Sequence, residues 1–155
     1  MLKLEPIEFF FRTIPEGFLA MLAIYVFSNT PINKTKYIIS SLIGSCIFFG
    51  VRMLPINYGV HTILAMGIIM ILSVSINKID IIKSIKVALI YSIFQFIAEG
   101  LNIFIIQNIL KADMNKVFSN AVLKIIYGLP SLAILGFIIF LYYIITLKKD
   151  ELINV

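Results

Sequence analysis

The chain has 155 residues, 61% of them hydrophobic and 14% charged, with a mean hydropathy of +1.04 and a net charge of +5. A soluble domain averages about 45–50% apolar and about 25% charged residues, so the bilayer is the solvent this sequence suits. The length holds one domain of several helices, with no room beside the spans for a kinase, a nucleotidase or a nucleic-acid-binding module.

Five segments reach, or come near, the ~20 apolar residues needed to cross about 30 Å of hydrocarbon, so the expected fold is all-α, a polytopic membrane helical bundle. The first runs from about Ile7 to Phe27, with Pro6 where a helix start tolerates proline. After the turn "SNTPINKTK" the second span covers about Tyr37–Met53 and closes on "LPINYG". The third is about Val60–Ile76. "NKIDIIKSIK" (Asn77–Lys86) reads as a polar connection into a fourth span, about Val87–Leu110. In "DMNKVFSNAVLKIIY" apolar Met114, Val117, Phe118, Ala121, Val122 and Ile125 recur at helical spacing, opposite Lys116, Asn120 and Lys124. This predicts an interfacial amphipathic helix over about 114–127. Gly128 and Pro130 then bend the chain into a fifth span, about Leu129–Leu147.

The basic residues sit singly or in pairs beside apolar runs, as topology signals and anchors for anionic lipid do, which argues against nucleic acid as a partner. One side receives Lys34, Lys36, Lys78, Lys83, Lys86, Lys148 and Lys149; the other receives Lys3, Arg52, Lys111, Lys116 and Lys124. The excess favours the first side as cytoplasmic, with the N-terminus outside and the C-terminus inside. An isoleucine-, lysine- and asparagine-rich chain without tryptophan fits an AT-rich, bacterial genome, and so a bacterial inner membrane. No cleavable leader is expected, because Glu5, Pro6 and Glu8 interrupt the first apolar run. "KDEL" at Lys149–Leu152 is not terminal and is no retention signal.

The first span carries polar residues that lipid does not favour. In "FFFRTIPEGFLAML" Arg12 lies roughly 7–8 Å below the outer boundary and Glu16 about 13 Å, counted at 1.5 Å per residue. Arg12 and Glu16 are an i,i+4 pair on one helix face. The fourth span runs the other way, and the same arithmetic brings Glu99 to about 12 Å below that boundary. In "YSIFQFIAEGLNIF" Ser92, Gln95, Glu99 and Asn102 form one polar stripe. Ionisable groups at such depth face the bundle or a wet cavity, and two carboxylates beside one arginine leave one acid without a counter-charge. Arg12, Glu16, Gln95, Glu99 and Asn102 therefore make a candidate pocket in the outer half, with Pro15 loosening the helix beside it. The alternatives are an ion pair and amide bonds that join helices one and four, or an ion pathway. Arg52 and His61 flank the turn in "VRMLPINYGVHTIL". They read either as a headgroup anchor and a helix cap, or as a lid over the pocket with His61 sensing pH. On the inner side, Lys78, Lys83 and Lys86 form the candidate surface for a signalling partner.

Catalytic and metal chemistry is not expected. One cysteine, Cys46, and one histidine, His61, lie on different spans, too few for a metal site and too few cysteines for an intrachain disulfide. Membrane peptidases that process autoinducing peptides pair a thiolate with an imidazole, but there the histidine precedes the cysteine. No acidic or amide group is placed here to orient such a pair. Asp80 and Asp113 are isolated loop carboxylates, and no phosphate-binding glycine loop or serine-nucleophile motif occurs. No cofactor is expected.

"RTIPEGFL" in the first span, "VRMLPINYGVHTIL" in the second hairpin, "EGLN" in the fourth span and "GLPSL" opening the last are similar to the N-terminal sensor regions of Gram-positive histidine kinases with the GHKL-type ATPase. Those regions have five to seven spans, as in receptors for peptide autoinducers. The resemblance implies an outward-facing signal receptor, with Arg12, Glu16, Arg52, His61 and Glu99 as pocket or switch residues. Only eight residues follow Leu147, so the kinase parts are not expected in this sequence; signalling would pass through a partner, or the chain is a truncated or repurposed relative. A weaker resemblance is to the spans-only proteins of the vitamin-binding transporter component and MreD type, which usually have six helices. The expected function is thus a sensor-like membrane protein, or alternatively a substrate-binding subunit of a small-solute transporter or a membrane scaffold. The expected partners are membrane lipid, a cytoplasmic or membrane signalling protein, and a second copy of the chain.

Overall fold

The computed structural model describes residues 6–54, 58–111, 117 and 120–153 of the chain. Among them it is all-helical, with five long rods: α1 (Pro6–Phe27), α2 (Lys34–Met53), α3 (Tyr58–Ser75), α4 (Ile81–Ile109) and α5 (Ala121–Ile153). α1, α2, α4 and α5 are long and apolar enough to cross a membrane. The apolar part of α3, Val60–Ser75, is shorter, so the third expected span is a helix of less than membrane-crossing length among the described residues.

Local chemistry sets the ends. Asn33 opens α2 by accepting from the Lys36 N–H at 3.1 Å, and Asp80 opens α4 by accepting from Ile82 N at 2.9 Å. Asn120 opens α5, its side chain accepting from Val122 N at 2.9 Å. Asn29 and Lys78 take left-handed φ values of 50° and 58° just past the ends of α1 and α3. The expected connection Asn77–Lys86 is therefore shorter than its polarity suggests. Lys83 and Lys86 ride on the first two turns of α4, and only Lys78 lies in the turn. The helix expected at the interface over 114–127 falls partly outside the described residues (114–116, 118 and 119). From Ala121 it continues unbroken into the last rod, with Pro130 inside the helix.

α1 is the hub. It packs on all four other helices, and Ala20, Met21, Ala23, Ile24 and Tyr25 along it are almost wholly buried. Small residues permit this approach: a Cβ on Gly17 would collide with the Ser45 hydroxyl of α2. α1 and α2 run antiparallel, whereas α1 and α5 run parallel, pairing Glu8 with Lys124, Arg12 with Gly128 and Leu19 with Gly136. The outward faces carry Ile38, Ile39, Leu42 and Ile43 on α2 and Ile82, Leu89, Ile93 and Phe96 on α4. Exposed apolar stripes of this kind suit lipid tails and would be a liability in water.

Proline shapes α1. Pro15 has no N–H for the Phe11 carbonyl, and its ring crowds that carbonyl. The turn just before it, Phe9–Thr13, widens to π-helix, and the Ile14 N–H donates to the Phe9 oxygen.

Candidate functional site

Three helices converge on Glu16. It lies one turn past the π-turn on the hub helix, 8% exposed. Arg52 in the last turn of α2 donates from Nη2 to both carboxylate oxygens, at 2.6 and 2.7 Å. Side-chain direction explains the meeting. Side chains lean toward the N-terminus of their own helix, so in an antiparallel pair Arg52 leans into the bundle while Glu16 leans out to meet it.

α4 supplies the third side. Gln95 donates from Nε2 to Glu99 Oε1 at 2.9 Å and to Glu16 Oε1 at 3.4 Å. One amide thus touches carboxylates on two helices, while its own Oε1 is buried without a partner. Tyr91, Gln95 and Glu99 follow one another at i,i+4 spacing and share a face. Tyr91 is 5% exposed and lies within electrostatic reach of Glu16, Arg52 and Glu99. The acids differ in their surroundings. Glu16 has a cation in direct contact, whereas Glu99 makes no ion pair among the described residues and feels Arg52 only at longer range. A half-buried carboxyl held by one amide is suited to meet a cationic group.

The expected residues divide. Glu16, Gln95 and Glu99 come together, and Arg52, assigned by sequence to a headgroup anchor or a lid, is the cation of the cluster. Arg12 is not part of it. The anticipated i,i+4 pair with Glu16 is absent, and the Arg12 guanidinium lies against Gly128 of α5. Asn102 turns to α5 as well, donating to the Tyr127 carbonyl at 2.6 Å, three residues before Pro130. Ser92 bonds back to the Ala88 carbonyl of its own helix at 2.8 Å. His61 sits near the start of α3, half-buried. Lys78, Lys83 and Lys86 are exposed at the other end of the bundle.

Two polar constellations escaped the sequence. Glu8 accepts from Lys124 at 3.1 Å in an ion pair whose side chains are 2% and 7% exposed. Its signal, two polar residues on helices that run parallel, needs the helix pairing to be known. At the far end Asn77 accepts from the Tyr25 hydroxyl at 2.8 Å and from Ser40 at 3.2 Å, a buried knot that ties α1, α2 and the α3–α4 turn. There, too, lies an open cleft of about 320 Å³ lined by Tyr25, Asn29, Thr30, Tyr143 and Thr146 among others. No group of three or more histidine, cysteine or acidic side chains is placed to hold a metal among the described residues. Set against known protein families, characterised proteins and solved structures, the chain matches none of them.

Proposed function

We propose that the chain is a sensor-like integral protein of a bacterial cell membrane, whose switch is the cluster of Glu16, Arg52, Gln95 and Glu99 in the outer half of the bundle. Glu99 is the responsive group: it meets a cationic group of an extracellular ligand. The Gln95 amide transmits its state, since it hydrogen-bonds both carboxylates. A change at Glu99 alters what Gln95 offers Glu16, and through Glu16 the grip of α2 on the hub helix. The N-terminus is outside, and the signal leaves by a partner at Lys78, Lys83 and Lys86. The observation that carries this reading is the asymmetry of the two acids, one ion-paired and one held by an amide alone.

The test is thermal stability in detergent for Glu99→Gln and Glu16→Gln. Glu99→Gln should stay within about 1 kcal/mol of wild type, because an amide replaces a carboxyl that one hydrogen bond holds. Glu16→Gln should cost on the order of 3 kcal/mol, because it strands Arg52. Equal and large losses in both would make the cluster helix glue and end the sensor reading.

One observation favours a second reading. The cleft near Tyr25 and Tyr143 exceeds about 300 Å³, the lower end of small-molecule sites, as a substrate-binding transporter subunit requires. Saturable binding of a small solute, lost in Tyr143→Ala but not in Glu99→Gln, would favour it over the sensor.

A further inference from the structure

We infer that the α1–α5 seam is an anion site for the phosphate of an anionic phospholipid, with Arg12 as its principal ligand and Gly128 as the floor on which the guanidinium lies. This site is separate from the Glu16 cluster and does not depend on the sensor reading.

The charges require an occupant. Among the described residues Glu8 is taken by Lys124, Glu16 by Arg52, and Asp80 caps α4 at the far end. Glu99 is held by Gln95 on a different face of α4. Arg12 makes no hydrogen bond or ion pair among them. It is a half-buried cation on a membrane-spanning helix, which is costly unless an anion joins it. Lys124 stands one turn before Gly128 on α5, where it is engaged by Glu8.

The backbone is shaped for the guanidinium. A Cβ at Gly128 would lie 3.3 Å from Arg12 Cζ and Nη1 and 3.4 Å from Nε, so a side chain there makes the fork give by a few tenths of an ångström, and a bulky one by more. Arg12 stands in the π-turn, and its guanidinium lies on α5. A planar fork close to the boundary, with its donors uncommitted, is the geometry that takes two phosphate oxygens at once. A side chain merely reaching for bulk headgroups would not need a glycine beneath it.

The experiment uses the full chain, delipidated in detergent and reloaded with phosphatidylglycerol or phosphatidylcholine, with bound lipid counted by native mass spectrometry. Wild type should prefer phosphatidylglycerol. Arg12→Gln should bind it about tenfold more weakly, as the loss of a charge-assisted contact implies. Gly128→Leu should lose as much, and Lys83→Gln, an exposed lysine elsewhere, should not change. Inorganic phosphate that displaces the lipid from wild type would support the site and show that a soluble phosphate also fills it. Arg12→Gln binding as wild type does, or wild type taking both lipids equally, would overturn the inference. If Gly128→Leu fails to fold, Arg12→Gln alone decides.

Discussion

At the scale of single residues, Arg52 and Glu16 show what a helix in lipid requires of a buried acid. Glu16 sits on the helix with the deepest burial in the molecule, where an unpaired carboxylate would cost several kcal/mol. Arg52 offsets that cost from the end of a neighbouring helix, and its side chain remains a quarter exposed. Removing one partner is therefore worse than removing both. Arg52→Ala should destabilise by on the order of 3 kcal/mol, whereas the apolar pair Glu16→Leu with Arg52→Met should lie near wild type. Denaturation in mixed micelles measures the difference. Equal losses in the single and double variants would show that the pair contributes attraction beyond its own desolvation. Sequence arithmetic put Glu16 and Glu99 at one level, and both meet Gln95, but it gave Glu16 the wrong cation. It counted position along the axis and left out the direction in which side chains lean, which carries Arg52 inward and Arg12 outward.

At the scale of elements, Pro15 decides which face α1 presents. The π-turn it induces adds a residue to the first turn and re-aims everything before it. Restoring the donor with Pro15→Ala lets the segment relax to regular α-helix. Residues 6–13 then turn by about 100°, one residue's worth of helix. The Glu8–Lys124 pair should come apart. A cysteine pair at positions 8 and 124, in a Cys46→Ser background, should cross-link with Pro15 present and fail with alanine. Cross-linking in both would mean that the packing of α1 on α5, not the proline, fixes the register. Periodicity placed the rods α1 and α2 within a few residues, since long apolar runs leave little else to form. It misread the start of α4, because the lysines of "NKIDIIKSIK" look like loop while Asp80 already caps a helix there. At the bend it expected at Gly128 and Pro130, α5 continues as helix. There Asn102 holds the Tyr127 carbonyl and Ser131 the Gly128 carbonyl, at 2.6 and 2.7 Å.

At the scale of the whole molecule, four helices pack around a fifth among the described residues, and the polar chemistry is layered along that hub. Glu8 with Lys124 lies near its start, the Glu16 cluster follows, and Asn77 with Tyr25 closes the far end. A movement of α1 is therefore felt at both ends. The exposed lysines Lys78, Lys83 and Lys86 stand beside the Asn77 knot, where such a movement would emerge. Changing all three to glutamate should abolish co-purification of a signalling partner while leaving the melting temperature unchanged. Undiminished co-purification would place the output elsewhere. The hub arrangement itself was not legible in the sequence. Every span is apolar on most faces, so hydrophobicity does not say which helix lies in the middle. The small residues Gly17, Ala20 and Ala23 were the available sign.

The central claim is that Gln95 couples Glu99 to the Glu16–Arg52 pair. A double-mutant cycle on stability in lipid nanodiscs, Glu99→Gln against Arg52→Ala, run with Gln95 present and in a Gln95→Leu background, tests it most directly. The account predicts a coupling of about 0.5 kcal/mol or more that disappears without Gln95. No coupling with Gln95 present, or the same coupling without it, would contradict it.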